Sequence, residues 1–184
     1  MTDPLLPPRL LLSGSQVSSA MDRLARSIAD AHPAGDGVVL VGVQTGGVQV
    51  ARHLARNLEA LWSRAVPLGH LDVSMHRDDL DRRLAPAVHP TWLPFELEGH
   101  TVVLVDDVFC SGRTIRAALD ALTDLGRPNR VELAVLIERR HHELPIHANF
   151  VGQAVDTEPR DRVEVEFDAE GNANRVLLEP GGPA

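Results

Sequence analysis

Lysine is absent from this 184-residue chain, and all 18 of its basic residues are arginine. The absence excludes several chemistries. A P-loop needs a lysine on its phosphates, a Schiff-base enzyme needs an amine, and a phospho-acceptor receiver domain ordinarily sets a lysine beside its acidic pocket. A single cysteine, Cys110, leaves no internal disulfide and no cysteine-based zinc site, a pattern that suits a reducing compartment. Long apolar runs are missing too. No stretch reaches the roughly 18 consecutive apolar residues of a membrane span, and MTDPLLPPRLLLSG has neither a basic n-region nor a small-residue cleavage site. A cytoplasmic protein without membrane contact is expected. The formal charge of −8 argues against general nucleic-acid affinity, while leaving room for a local basic patch.

What is present suits one globular domain over 1–184: 43% hydrophobic and 24% charged residues, enough to bury a core. Residues 1–12 read as a proline-bearing arm. Ser13 or Ser15 can then cap a helix to residue 31, with Met21, Leu24, Ala25 and Ile28 at i, i+3, i+4 and i+7 and GDG as the stop. VVLVGV (38–43) reads as a buried strand, and QTGG leads into the helix VQVARHLARNLEALW. A strand is expected over 66–75. The stretch 76–93, charged and then proline-bearing, has no sustained period and reads as a mobile loop. TVVLV (101–105) resumes the sheet, followed by a helix with Ile115, Ala118, Leu119 and Leu122 on one face, ending at Gly126. RVELAVLIE is the next buried strand, ELPIHANFVG holds a short one, and the alternation after Val163 predicts a C-terminal β-hairpin before a tail at 180–184. Strands alternating with helices imply an α/β fold with a mostly parallel central sheet flanked by helices.

Ligands of such sheets collect beyond the carboxyl ends of the strands, where the loops after VVLVGV and TVVLV both fall. In FCSGRT, small residues let successive backbone N–H groups converge, and the helix opening near Gly112 adds its unpaired N–H groups, making a phosphate cradle. Ser111 and Thr114 add hydroxyl donors. Asp106 and Asp107 just upstream would repel a phosphate, so they face sugar hydroxyls or a bridging cation. A sugar phosphate meets both demands.

The segment VVLVDDVFCSGRT, Val102 to Thr114, resembles the phosphoribosyl pyrophosphate (PRPP) signature of type I phosphoribosyltransferases. LDVSMHRDDL (71–80), DLGRPNRVELAVLIERRHHELPIHANFVG (124–152) and VGVQTGG (41–47) narrow the resemblance to the PyrR family of pyrimidine operon regulators and uracil phosphoribosyltransferases. It spans residues 13 to 179. It implies a type I phosphoribosyltransferase fold and the conversion of uracil and PRPP to UMP and pyrophosphate with Mg²⁺. By the same resemblance, Asp106 and Asp107 bind ribose, directly or through the metal, Cys110, Ser111, Gly112, Arg113 and Thr114 bind the 5′-phosphate, and Val108 and Phe109 belong to the same substrate-binding segment. Thr45, Gly46 and Gly47 hold pyrophosphate, and Arg77 closes over it from the mobile loop. Glu138 and Arg139 stand where uracil is recognised, largely through backbone groups. No Ser-His-Asp or Cys-His set suggests a covalent route.

Two departures matter. Gly46 stands where well-known family members have arginine in the pyrophosphate loop, and Cys110 replaces a larger residue, usually tyrosine. The resemblance also implies binding of pyrimidine-leader mRNA through a basic face, for which Arg23, Arg26, Arg140, His142 and His147 are the candidates here. Histidine gains charge as pH falls through its ordinary range, which would strengthen such a patch. The spacing of His141, His142 and His147 matches no ordinary metal-ligand pattern. A second function stays open: an RNA-binding regulator with weak catalysis that senses UMP, UTP or PRPP. Purine salvage also stays open. Homodimers or homotetramers are implied by the family.

Overall fold

The computed structural model describes residues 7–76 and 89–181. Five parallel strands make the central sheet: β2 (Val38–Val43), β3 (Leu68–Leu71), β4 (Thr101–Phe109), β5 (Arg130–Arg139) and β6 (Phe150–Val155). Their spatial order is β3-β2-β4-β5-β6. Helices α1 (Gly14–Ala31) and α2 (Gly46–Trp62) pack on one face, and α3 (Arg113–Leu125) packs on the other. Near-continuous Val, Leu and Ile in β2, β4 and β5 follow from this, because a parallel strand covered on both faces has no solvent side. The chain runs outward from β2 to β3 on one side and from β4 to β6 on the other. The order therefore reverses between β2 and β4, opening a crevice at their carboxyl ends.

The first helix begins where expected. Ser13 is its N-cap, and its backbone N–H donates to Gln16 Oε1 at 2.9 Å. Its end owes more to Pro33 than to the GDG stretch beyond, since a residue before proline is disfavoured in helical geometry, and His32 has already left the helical region at φ −131°. Near this end, His32 Nε2 lies 2.7 Å from the buried Glu132 Oε2, tying α1 to β5.

Several expectations need correction. The arm contains β1 (Arg9–Leu12), which pairs antiparallel with β8 (Ala173–Glu179). With β7 (Arg162–Phe167) it forms a second, three-stranded sheet, so the C-terminal hairpin has a third strand that its own alternation could not announce. The strand expected over 66–75 is only Leu68–Leu71, because Asp72 accepts the Ser74 N–H at 2.7 Å and a 3₁₀ turn follows at Ser74–His76. Of the expected loop 76–93, residues 77–88 fall outside the described residues. Trp92, near its end, exchanges two 2.9 Å backbone hydrogen bonds with His70 as an isolated bridge. The strand expected at 101–105 runs on to Phe109, so both aspartates lie within β4. Leu119, expected on the buried face of α3, is only half-buried, and Ala117 and Ala121 fill that face instead. No described helix is long and apolar enough to cross a membrane.

The crevice depends on α2 starting hard against β2. A Cβ on Gly42 would lie 2.6 Å from Val48 Cα and 2.8 Å from the Gly47 carbonyl oxygen, both backbone atoms that cannot turn aside. Gly42→Ala is expected to cost about 1–3 kcal/mol by overpacking. Urea denaturation should show this as a lower midpoint, and an unchanged midpoint would mean that the helix start is not held by this contact.

Candidate active site

Two loops meet over the crevice. Gln44 and Thr45 leave β2 through a cis peptide, and α2 begins at Gly46. The loop after β4, Cys110 to Gly112, ends at the N-cap of α3, where Gly112 has φ +92°, a conformation that favours glycine. Arg116 N–H donates to the Gly112 carbonyl at 2.9 Å, so the N–H groups of the residues between stand outside the helical ladder at its positive end. The loop is buttressed from the segment after β5. Ser111 carbonyl accepts the N–H groups of Glu143 at 3.0 Å and Leu144 at 3.2 Å. Arg113, expected beside the phosphate, is drawn to the same segment, with its Nε and Nη2 each 2.9 Å from Glu143 Oε2. Cys110 is a half-buried free thiol.

A cavity of about 740 Å³ opens between the β2–α2 turn, the end of β4 and the β7–β8 hairpin. Thr45, Gly46, Asp107, Val108 and Thr114 line it, so the β2–α2 turn, the end of β4 and the first turn of α3 share one space, while Cys110, Ser111, Gly112 and Arg113 are not among its lining residues. The two carboxylates divide. Successive strand residues point to opposite faces, and of the pair only Asp107 lines the cavity, while Asp106 is buried beside it. Asp106 Oδ1 accepts the Asp107 N–H at 3.0 Å, and Asp107 Oδ1 accepts the Val108 N–H at 2.9 Å. Burial pushes the Asp107 carboxyl above the ordinary carboxylate range, against the pull of these hydrogen bonds. Gly46 makes this placement possible: a Cβ there would overlap the Asp107 carboxylate, which occupies the space. Gly47 is buried, and a Cβ on it would press on the Val105 carbonyl and lie 3.0 Å from Asp106 Cα.

Other predicted residues stand apart from the cavity. Phe109 is buried in the core on the α3 side, its ring centroid 4.5 Å from that of His142. Glu138 is half-buried, with Oε1 3.5 Å from His142 Nε2. Arg139 is buried, donating from Nε to Thr157 Oγ1 at 3.0 Å and from Nη2 to the Glu158 carbonyl at 2.9 Å. That leaves its side chain engaged in holding the β6–β7 connection. Arg77 lies outside the described residues.

The phosphoribosyl transferase domain family matches residues 11–165. A protein of Geobacter sp. (strain M21) is 46% identical over 171 residues, covering 92% of this chain and 97% of its own. One from Leifsonia xyli subsp. xyli is 45% identical over 179 residues, covering 95% and 98%. Both are called Bifunctional protein PyrR. This chain belongs to the PyrR family. Among solved structures, the hypoxanthine phosphoribosyltransferase of Trypanosoma cruzi superposes with a TM-score of 0.70 at 17% identity, covering 94% of this chain and 97% of that one. A hypoxanthine phosphoribosyltransferase from Staphylococcus aureus gives 0.67 at 16% identity, covering 95% and 93%. At these identities the likeness concerns the type I phosphoribosyltransferase fold.

For a PyrR-family chain, the residues that sequence reasoning missed are those the hairpin brings in: Arg162, Glu164, Phe167, Asp168 and Glu170 line the cavity, as do Gln49 and Arg52 of α2. Helical spacing from Thr45 could have pointed to Gln49 and Arg52 at i+4 and i+7, but nothing local announces that the hairpin faces β4. The basic patch is also rearranged. Arg23 of α1 donates to the Gly152 carbonyl at 2.9 Å and to Gln153 Oε1 at 3.0 Å, while Arg26 and Arg140 are exposed. His142 is half-buried against Phe109, and the exposed His147 has its ring 5.9 Å from it. The histidines thus sit beside the β4–α3 loop, and Arg23 and Arg26 lie on the helix covering the opposite face of the sheet.

Because folded Asp107 keeps its proton to higher pH than the unfolded chain, ionising it costs stability as pH rises from the unfolded value of about 3.9 through the raised folded value. Asp107→Asn removes that cost. The variant should melt above the wild type at pH 7, with the difference closing as pH falls toward about 4. Thermal melts across this range check it; identical melting at pH 7 would contradict a costly buried carboxylate.

Proposed function

We propose that this chain transfers the phosphoribosyl group of PRPP to uracil, giving UMP and pyrophosphate, and that it also regulates pyrimidine biosynthesis genes by nucleotide-dependent binding of leader mRNA. One observation carries the enzymatic reading: the β2–α2 turn and the end of β4, with Asp107, line a single cavity at the point where strand order reverses. The N–H groups at the start of α3, with the Ser111 and Thr114 hydroxyls, take the 5′-phosphate. Asp107 accepts hydrogen bonds from the ribose hydroxyls, and Asp106, buried beside the cavity, holds the Asp107 backbone N–H. Backbone amides of Thr45, Gly46 and Gly47 hold the pyrophosphate, and Arg77 supplies a cation over it.

The donor set suits Mg²⁺: two adjacent carboxylates offer hard oxygens, and this ion is commonly held by one or two carboxylates plus substrate phosphates. When bound, it would screen charge on the departing pyrophosphate. Asp107, the carboxylate that lines the cavity, would hold it through the ribose hydroxyls. The C1′–oxygen bond to pyrophosphate breaks as the bond to uracil N1 forms, through a state with oxocarbenium character, and the N1 proton passes to the departing pyrophosphate or to water. The protein's part is therefore to fix geometry and to place donors where charge develops, with no protein base required. Uracil is read at the end of β5 by the backbone around Glu138 and Arg139, in keeping with an Arg139 side chain engaged by Thr157 and Glu158. The chain works as a homodimer or homotetramer.

For RNA, the observation in favour is that Arg23 is held against Gln153, joining α1 and β6 in one polar surface beside the exposed Arg26. Phosphate neutralisation there makes binding salt-dependent.

Incubation with Mg²⁺, PRPP and uracil should yield UMP, with hypoxanthine, guanine and orotate giving none. Asp106→Asn/Asp107→Asn should lose most PRPP affinity while remaining folded. Turnover of a purine instead would replace the base assignment, and unaltered PRPP affinity in the double variant would remove the ribose assignment. Filter binding to a structured pyrimidine-leader RNA should weaken as salt rises and weaken further in Arg23→Ala/Arg26→Ala; absence of binding at low salt would leave a purely metabolic protein.

A further inference from the structure

The loop proposed to hold pyrophosphate has no cation of its own. Position 46 is glycine, and the Asp107 carboxylate occupies the space in which a side chain there would begin. A carboxylate so placed repels a polyanion, so a cation on the wall would add to the charge proposed for Arg77 and the metal. Among the described residues, the cations lining the cavity are Arg52 and Arg162. Arg162, on β7, has its Nε 3.9 Å from Glu179 Oε2. Arg52 lies on α2, one and then two helical turns along the face that starts with Thr45 and Gln49. It is exposed, and its Nη1 reaches the neutral Gln49 Oε1 at 3.5 Å, a long contact that leaves its charge uncompensated by that partner. A second cavity of about 350 Å³ shares Gln49, Arg52, Glu170 and Gly171 with the first and continues along α2 past Arg56. Arg56 is tied to the hairpin, donating to Asn172 Oδ1 at 2.7 Å. Arg52 thus stands at the junction, within the wall that holds Thr45 and Gly46.

We propose that Arg52 is a substrate-binding residue that supplies a second cation, beside Arg77, for the pyrophosphate group of PRPP, from the helix rather than from the loop. The inference rests on the proposed phosphoribosyl transfer. A guanidinium pairs with phosphate oxygens through two parallel hydrogen bonds, so it contributes charge and orientation together. A nucleoside monophosphate, which lacks the pyrophosphate group, does not need it.

Calorimetry on the full chain with Mg²⁺ and PRPP, inorganic pyrophosphate or UMP separates the possibilities. Arg52→Ala should weaken PRPP and pyrophosphate binding about tenfold or more, as expected for a lost charge-assisted contact. UMP affinity should stay within about twofold, and Arg52→Lys should recover part of the loss. Unchanged PRPP affinity in Arg52→Ala, with the wild type binding both ligands, would overturn the role of Arg52 alone. An equal loss for UMP would also overturn it, because the residue would then act on the whole site. A wild type that binds neither PRPP nor UMP would remove the phosphoribosyl-transfer reading and this inference with it.

Discussion

The cleft depends on how closely the first turn of α2 approaches β2 and the end of β4. Gly42, Gly46 and Gly47 stand where any side chain would meet backbone or the Asp107 carboxylate. Their lack of a Cβ lets a helix N-terminus, a strand end and a carboxylate share one small volume. Much of the remaining architecture serves this approach. Apolar strands bury the sheet on both faces, α1 and α2 cover one side, and α3 presents its N-terminus from the other.

That volume collects groups of opposing electrostatic demand. The N-terminus of α3 favours anions, whereas Asp106 and Asp107 disfavour them, and burial raises the cost of keeping Asp107 ionised. A ligand carrying phosphate at one end and hydroxyls at the other relieves both conditions, which is why PRPP chemistry fits the site better than a simple anion does. With a carboxylate rather than a cation beside the turn, Arg52 on the next two turns of the helix adds the attraction for a polyphosphate that the turn itself lacks.

Folding also spends charged residues on scaffolding. Arg113 and Arg139 both belong to segments that resemble ligand-binding motifs, yet one guanidinium pairs with Glu143 and the other holds Thr157 and Glu158. Arg113–Glu143 is exposed and contributes little to stability by itself. Its consequence is positional, since the Glu143 and Leu144 amides brace Ser111 in the cradle. His142 has a similar fate, packed on Phe109 under the loop rather than displayed to solvent.

Much of the α/β order was legible because its signals are local. The apolar runs at 38–43 and 130–138, the 3.6-residue periods of α1 and α3, and the small-residue turn before Arg113 are each set by interactions within a few residues. The same holds for the resemblance carried by VVLVDDVFCSGRT. Strand β1 was not legible, because RLLL becomes a strand only when β8 supplies its hydrogen bonds. Nor were Arg162, Glu164 and Asp168 as cavity walls, since those placements require the hairpin to fold back over α2. The sequence by itself determined the element types, the two loops and the chemistry of their side chains, all short-range properties. Only the tertiary structure decided which carboxylate faces the cavity, which arginines are already engaged, and which cation stands near the turn, because each depends on close packing between segments distant in the chain.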